Sequence, residues 1–183
     1  LNKNTPYKNI NAMAFAHHKN ELAIGGKKDK ITVWDINSGN KIKQYNSPSN
    51  ALAFSPDDTY LTSAGVQGKI RRWDLNSSLS KITSYSLPAR RIFDSYTAVD
   101  VDNRYVVACN QNRQIEVYSI KNGKTKYILK GHKNKISAIQ FSPDGKYLAS
   151  AGKGLKIALW DIKTGYLIKT FQGMGSGINA ISV

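Results

Sequence analysis

Only one cysteine, Cys109, occurs in the 183 residues, so no internal disulfide can form and a disulfide-stapled secreted scaffold is excluded. It lies in the apolar run 105–109, the setting of a buried, inert thiol rather than a reactive one. No apolar run approaches the roughly 20 residues that span a bilayer, and residues 1–11 lack the apolar stretch of a signal peptide. The expectation is a chain without a membrane segment, acting in the cytoplasm, with the nucleus left open. Acidic residues are scarce: 12 Asp and Glu face 27 Lys and Arg, a net charge of +15 that favours acidic partners and says nothing about fold.

The residues of catalysis are missing as well. No paired carboxylates flank a plausible cleft, no Gly-x-Ser-x-Gly elbow occurs, and no Cys/His cluster has metal-ligand spacing. His17 and His18 are adjacent, and neighbours in a strand or turn point apart. Gly25-Gly-Lys-Lys28 and Gly152-Lys-Gly154 fit no phosphate-cradle pattern and read as β-turns. These gaps predict a protein that is not an enzyme and carries no metal or cofactor.

What is present is a folding pattern. With 40% hydrophobic and 21% charged residues, the chain has the composition of a globular protein. The run 131–172 alternates apolar and polar residues in four short stretches, separated by Pro143-Asp-Gly145, Gly152-Lys-Gly154 and Lys163-Thr-Gly165. Four short antiparallel strands in one sheet follow. Gly131-His132, Ser142-Pro-Asp-Gly145 and Trp160-Asp161 punctuate this unit, and Trp34-Asp35, Trp73-Asp74 and Tyr118-Ser119 mark three poorer copies. The aromatic markers fall 39, 45 and 42 residues apart.

In this order and spacing the motifs resemble those of the tryptophan-aspartate repeat (WD40) family, whose repeats of about 40–45 residues build the blades of a β-propeller. The resemblance implies an all-β fold of four-stranded antiparallel blades: blade 1 over about 8–45, blade 2 over 50–85, blade 3 over 95–130 and blade 4 over 131–172. Residues 173–183 read as the start of a fifth, its first strand beginning near Gly177, and residues 1–5 as a scrap of a preceding one. The whole chain, 1–183, is then a propeller portion whose remaining blades come from the same chain or a partner chain. The resemblance also implies a buried network of His, Ser or Thr, Asp and Trp. His132, Ser150 and Trp160 fill three positions in blade 4 and Ser63 and Trp73 two in blade 2, while Gly154, Gln67 and Lys28 stand where the Asp belongs.

In this family the loop before the first strand and the turn between the second and third share one face, the top. That scheme places Lys27, Lys28, Lys30, Lys69, Arg90, Arg91, Arg113, Lys133, Lys135, Lys153 and Lys156 there, opposed only by Asp29 and Asp94. The opposite loops carry Lys19, Lys41, Lys81, Arg104, Lys121, Lys124, Lys146 and Lys163, but with Asp57, Asp58, Asp102 and Asp144 among them, so a mixed face is expected. Arg72 stands where blades 1, 3 and 4 have Val33, Val117 and Leu159. It predicts an inter-blade ion pair with Asp94 or Asp100, because an unpaired buried guanidinium would cost several kcal/mol.

The reading is a non-catalytic scaffold or target-recognition propeller within a larger protein or complex, whose basic top face holds an acidic protein or peptide segment. RNA on the same lysines is the alternative, with Phe93 the best stacking candidate; a propeller enzyme is the remote one.

Overall fold

Among the described residues, sixteen β-strands occupy the alternating stretches and pair with their sequence neighbours, giving four antiparallel four-stranded sheets. The computed structural model describes residues 9–26, 30–65, 69–77, 82–86, 96–110, 112–154, 156–173 and 177–181. Blade 1 holds β1 (Ala12–Phe15), β2 (Glu21–Gly25), β3 (Ile31–Asp35) and β4 (Lys41–Tyr45). Blade 2 holds β5 (Ala51–Phe54), β6 (Tyr60–Ala64), β7 (Lys69–Asp74) and β8 (Ile82–Ser86). In blade 3 lie β9 (Tyr96–Val101), β10 (Tyr105–Asn110), β11 (Ile115–Ser119) and β12 (Thr125–Leu129). β13 (Ile136–Phe141), β14 (Tyr147–Gly152), β15 (Lys156–Asp161) and β16 (Leu167–Gln172) complete blade 4. No helix occurs among the described residues, so none is long and apolar enough to cross a membrane.

The aspartate of each Trp-Asp pair folds the turn between third and fourth strands. Asp35 Oδ1 accepts from Ser38 N at 2.6 Å, Asp74 Oδ1 from Asn76 N at 2.8 Å, and Asp161 Oδ1 from Thr164 N at 2.8 Å. These are Asx turns, in which a short carboxylate replaces the backbone acceptor. Blade 3 has Ser119 instead, and there Asn122 Oδ1 accepts from Lys124 N.

Blades stack through their inner strands, β1 against β5, β5 against β9 and β9 against β13. Every junction has the same polarity. The face bearing the aromatic marker packs backward onto the preceding blade: Trp73, Leu61 and Phe54 meet Ala12, Ala23, Ile31, Val33 and Tyr45. Tyr118, Val106 and Val101 meet Ala53, Ala64 and Ile70. Trp160, Leu148 and Phe141 meet Val107, Cys109, Ile115 and Val117. Each fully buried aliphatic or aromatic side chain contributes about 1.5–3 kcal/mol, so the junctions hold the array together. At its ends that polarity leaves two unlike surfaces. Blade 1 turns its Trp34 face outward, with Met13 62% and Phe15 67% exposed. Blade 4 turns out its other face, carrying Ile157, Leu159 and Phe171.

The strand predicted at the start of a fifth blade is not formed over residues 177–181. A strand needs a ladder partner along its length. Here Ile178 instead spends its carbonyl on Ser137 Oγ (2.5 Å) and its N–H on Gly152 O (3.3 Å), lying across blade 4. The scrap read at 1–5 lies outside the described residues.

Candidate binding faces

The aromatic markers are anchored in two ways that alternate along the chain. In blades 2 and 4 the indole reaches across to the second strand: Trp73 Nε1 donates to Ser63 Oγ at 3.0 Å and Trp160 Nε1 to Ser150 Oγ at 2.8 Å. His132 Nε2 lies 2.7 Å from the same Ser150 oxygen, and burial holds that imidazole below its ordinary pKa, in the neutral form. In blades 1 and 3 the anchor sits two residues back on the third strand. Trp34 Nε1 donates to Thr32 Oγ1 at 2.6 Å, and the Tyr118 hydroxyl donates to Glu116, whose other oxygen accepts from Asn110 Nδ2 at 2.9 Å. The Thr32 and Glu116 anchors follow no family spacing. Their signal was a polar residue at i−2, on the same face of the strand as the marker. Cys109 is fully buried, and burial, with Glu116 nearby, pushes its thiol well above the ordinary range, as an inert thiol requires.

Polar clamps join neighbouring blades on the side of the turns between first and second strands. Asp58, in blade 2 and fully buried, accepts from the backbone N–H groups of His17 (2.8 Å), His18 (2.6 Å) and Lys19 (3.1 Å) in the blade 1 turn. Its φ of 53° is a left-handed conformation that aspartate tolerates. The same turn position in blade 4 is Gly145, φ 66°, and there the reach is reversed: Arg104 of blade 3 donates from Nη2 to Gly145 O at 2.7 Å. A Cβ on Gly145 would sit 2.8 Å from Asp102 Oδ2, so the position has room only for glycine.

Of the two carboxylates expected to pair with Arg72, Asp100 does not reach it. The residue does face blade 3, but its guanidinium carbon lies 3.4 Å from the ring centroid of Tyr60, its diagonal neighbour across β6 and β7, and no ion pair reaches it among the described residues. Asp94 lies outside them. Asp100 is used elsewhere, accepting from Phe141 N at 2.6 Å and Val101 N at 2.9 Å, and burial raises its pKa to about 6 against the pull of those N–H groups.

Of the predicted top-face cations, Lys27, Lys28, Arg90 and Arg91 lie outside the described residues, as do Asp29 and Phe93. Lys30, Lys69, Arg113, Lys133, Lys135, Lys153 and Lys156 are all exposed. Five of them gather over blades 3 and 4. Lys133, Lys153 and Lys156 line a hollow of about 80 Å³ with His132, Asn134, Gly131 and Gly154. Arg113 Nη1 donates to Lys133 O at 3.0 Å, and Lys153 N to Lys135 O at 3.0 Å. Lys30 and Lys69 stand apart on blades 1 and 2. Among the described residues no carboxylate lines the hollow.

On the opposite face two cations are paired with turn aspartates: Arg104 Nη2 lies 3.3 Å from Asp102 Oδ2 and Lys146 Nζ 3.1 Å from Asp144 Oδ2. Asp58 and Asp102, 0% and 6% exposed, are spent on backbone donors inside the fold. Asp57 and Asp144 remain, while Lys19, Lys41, Arg104, Lys121, Lys124, Lys146 and Lys163 are exposed; Lys81 lies outside the described residues. Turn aspartates read as solvated charges until their backbone partners are known.

Successive four-stranded sheets, stacked with one polarity and stitched by a Trp or Tyr to its own blade, define blades of a β-propeller. Residues 39–74 and 123–161 match the family model described as WD domain, G-beta repeat, so the chain carries WD repeats at these two places. Each matched segment runs from the turn before a fourth strand through the third strand of the next blade, one strand out of phase with the sheets. The chain is 28% identical over 172 residues to autophagy-related protein 16 of Arabidopsis thaliana, covering 93% of this chain and 25% of that protein. It is 30% identical over 69 residues to nuclear distribution protein nudF 1 of Talaromyces marneffei, covering 37% of this chain and 15% of that protein. The chain thus spans a quarter or less of these relatives.

Proposed function

We propose that this chain is a non-catalytic interaction platform, a propeller portion acting in the cytoplasm whose top face holds an acidic protein segment. The observation that carries the reading is the hollow of Lys133, Lys153 and Lys156, free of carboxylates and reinforced by Arg113 and Lys135. Lysines packed over one hollow repel each other and lower that cost by attracting a carboxylate-rich chain, which also speeds encounter. No Phe, Tyr or Trp lines the hollow, so a nucleobase would find no stacking partner there, and peptide is favoured over RNA. The relatives named for autophagy and for nuclear distribution share these repeats over a minor part of their length, which fits a repeat module used in different assemblies. The two outward faces of blades 1 and 4 fit completion of the ring by further blades of the same chain or of a partner.

Lys133→Glu, Lys135→Glu and Lys153→Glu combined, made in the full-length protein, test the reading. Affinity for a Glu-rich peptide falls at least tenfold, while a random RNA pool binds weakly before and after the change. Loss of RNA binding at near-physiological salt, with protein partners retained, would reverse the ranking.

A further inference from the structure

The hollow on the top face is lined by a side chain whose second donor the fold leaves unused. Trp160 Nε1 and His132 Nε2 both meet Ser150 Oγ, at 2.8 Å and 2.7 Å, and an indole N–H can only donate. The serine hydroxyl therefore keeps one proton to give, either to His132 Nε2 at 2.7 Å or to Ala158 O at 3.4 Å. The short contact wins, because hydroxyl bonds cluster near about 2.7–2.8 Å and weaken well before the longer distance. Nε2 is then the acceptor, and an imidazole held neutral by burial must carry its own proton on Nδ1. That N–H finds no acceptor among the described residues.

Its surroundings suit an oxyanion. His132 lines the hollow of about 80 Å³ together with Lys133, Lys153 and Lys156, and none of these three lysines forms an ion pair among the described residues. Gly154 lines the same hollow and has no side chain to fill it; a Cβ there would stand 2.2 Å from Asn134 Nδ2, and its φ of 119° disfavours any other residue. The volume equals that of a few water molecules at about 30 Å³ each, which suits one small charged group rather than a bulky side chain. Exposed lysines are mobile point charges that attract an anion without fixing where it sits. The imidazole is different: Ser150 holds it, so its remaining N–H has one direction. A carboxylate has one oxygen for that N–H and a second for the lysines.

We propose that His132 Nδ1–H is the donor that seats one carboxylate of the top-face partner between Lys133, Lys153 and Lys156, making His132 a recognition residue of that face. This rests on the top-face reading above. Binding also closes a chain of hydrogen bonds from the ligand through His132 and Ser150 to Trp160, which ties recognition to the packing of blade 4. Calorimetric titration of the full-length protein with a Glu-rich peptide, read beside thermal melts, tests it. His132→Gln places a side-chain amide where Nε2 lies, keeping the Ser150 contact and removing Nδ1–H; it melts as wild type does and binds the peptide at least tenfold more weakly, as loss of a hydrogen bond to a charged group requires. His132→Asn places an amide N–H at the Nδ1 position and gives up Ser150; it melts lower yet binds within threefold of wild type. A merely structural histidine gives the opposite order. Should the Gln variant melt lower, Ser150→Ala serves as the comparison, since it is destabilised but keeps the imidazole, and equal weakening in the two would overturn the proposal. A Gln variant within threefold of wild type, while Lys133→Glu, Lys135→Glu, Lys153→Glu loses the peptide, overturns the proposal and leaves the top-face reading standing; a lysine variant that binds as wild type does removes both. A phosphoserine peptide held more tightly than the Glu peptide by wild type, but not by His132→Gln, also overturns it, by assigning the donor to phosphate.

Discussion

Replacing Asp58 by alanine removes one carboxylate and strands three N–H groups. His17, His18 and Lys19 donate to it from a turn whose side chains are exposed, so water can reach these amides once the carboxylate is gone. That places each loss near the lower end of the 1–3 kcal/mol typical of an unsatisfied donor, about 3 kcal/mol together. Alanine also pays about 1 kcal/mol to hold the left-handed φ of 53°. Asp58→Gly separates the two contributions: it deletes the clamp but relieves the backbone, and should cost about 3 kcal/mol against about 4 for alanine. Asp58→Asn retains one acceptor oxygen and falls between wild type and glycine. Urea unfolding gives the global cost, and hydrogen exchange at the three amides gives the local one, each 1.4 kcal/mol appearing as a tenfold faster exchange. If glycine and asparagine both unfold within 0.5 kcal/mol of wild type and the three amides exchange as before, the clamp is ornamental and the reasoning fails.

Ser150→Ala strands the buried Trp160 N–H and removes the partner of His132, so it should cost about 2 kcal/mol by thermal melting, more than Ser63→Ala, where a single bond to Trp73 is lost; equal costs would mean that His132 contributes nothing. Asp100 carries a pH signature. Its folded-state pKa of about 6 exceeds the unfolded value near 4, so the folded protein holds that proton more tightly; the stability this gives is fully present below pH 4 and is lost as pH rises through 6. The difference in unfolding free energy between wild type and Asp100→Asn should therefore shift by about 2–3 kcal/mol across that window, and a flat difference would show that the carboxyl titrates normally.

Much of this arrangement was legible in the residues. Turn signals and alternation in the run 131–172 anticipated β13 to β16, and its three poorer copies anticipated the same pattern of four strands in the other blades. The Ser63–Trp73 and His132–Ser150–Trp160 contacts were implied by the resemblance to tryptophan-aspartate repeats, and the antiparallel register brings those residues together. Contacts between blades were not legible, since they depend on how sheets rotate onto each other. Asp58 looked like a solvated turn residue, and Arg72 seemed to need a carboxylate, although Tyr60, two positions off across the pair, was already at hand.

The one-strand offset between repeat and sheet bears on how such a chain can change length. Cutting out residues 39–74 as a unit would take β4 from one sheet and β5, β6 and β7 from the next. The stranded β8 would then have to dock against β3, where the lost β4 had been, to restore a full sheet. Gain or loss of a repeat therefore preserves sheet size only if any outer strand is interchangeable with any other. Part of each of three outer strands suits that exchange, since Ile42, Ile128 and Ile168 are substantially exposed, whereas the buried Tyr45 and Leu129 would have to be matched. Splicing is permitted at the rim, where side chains are tolerant, and would be costly at the hub, where β1, β5, β9 and β13 fit one another.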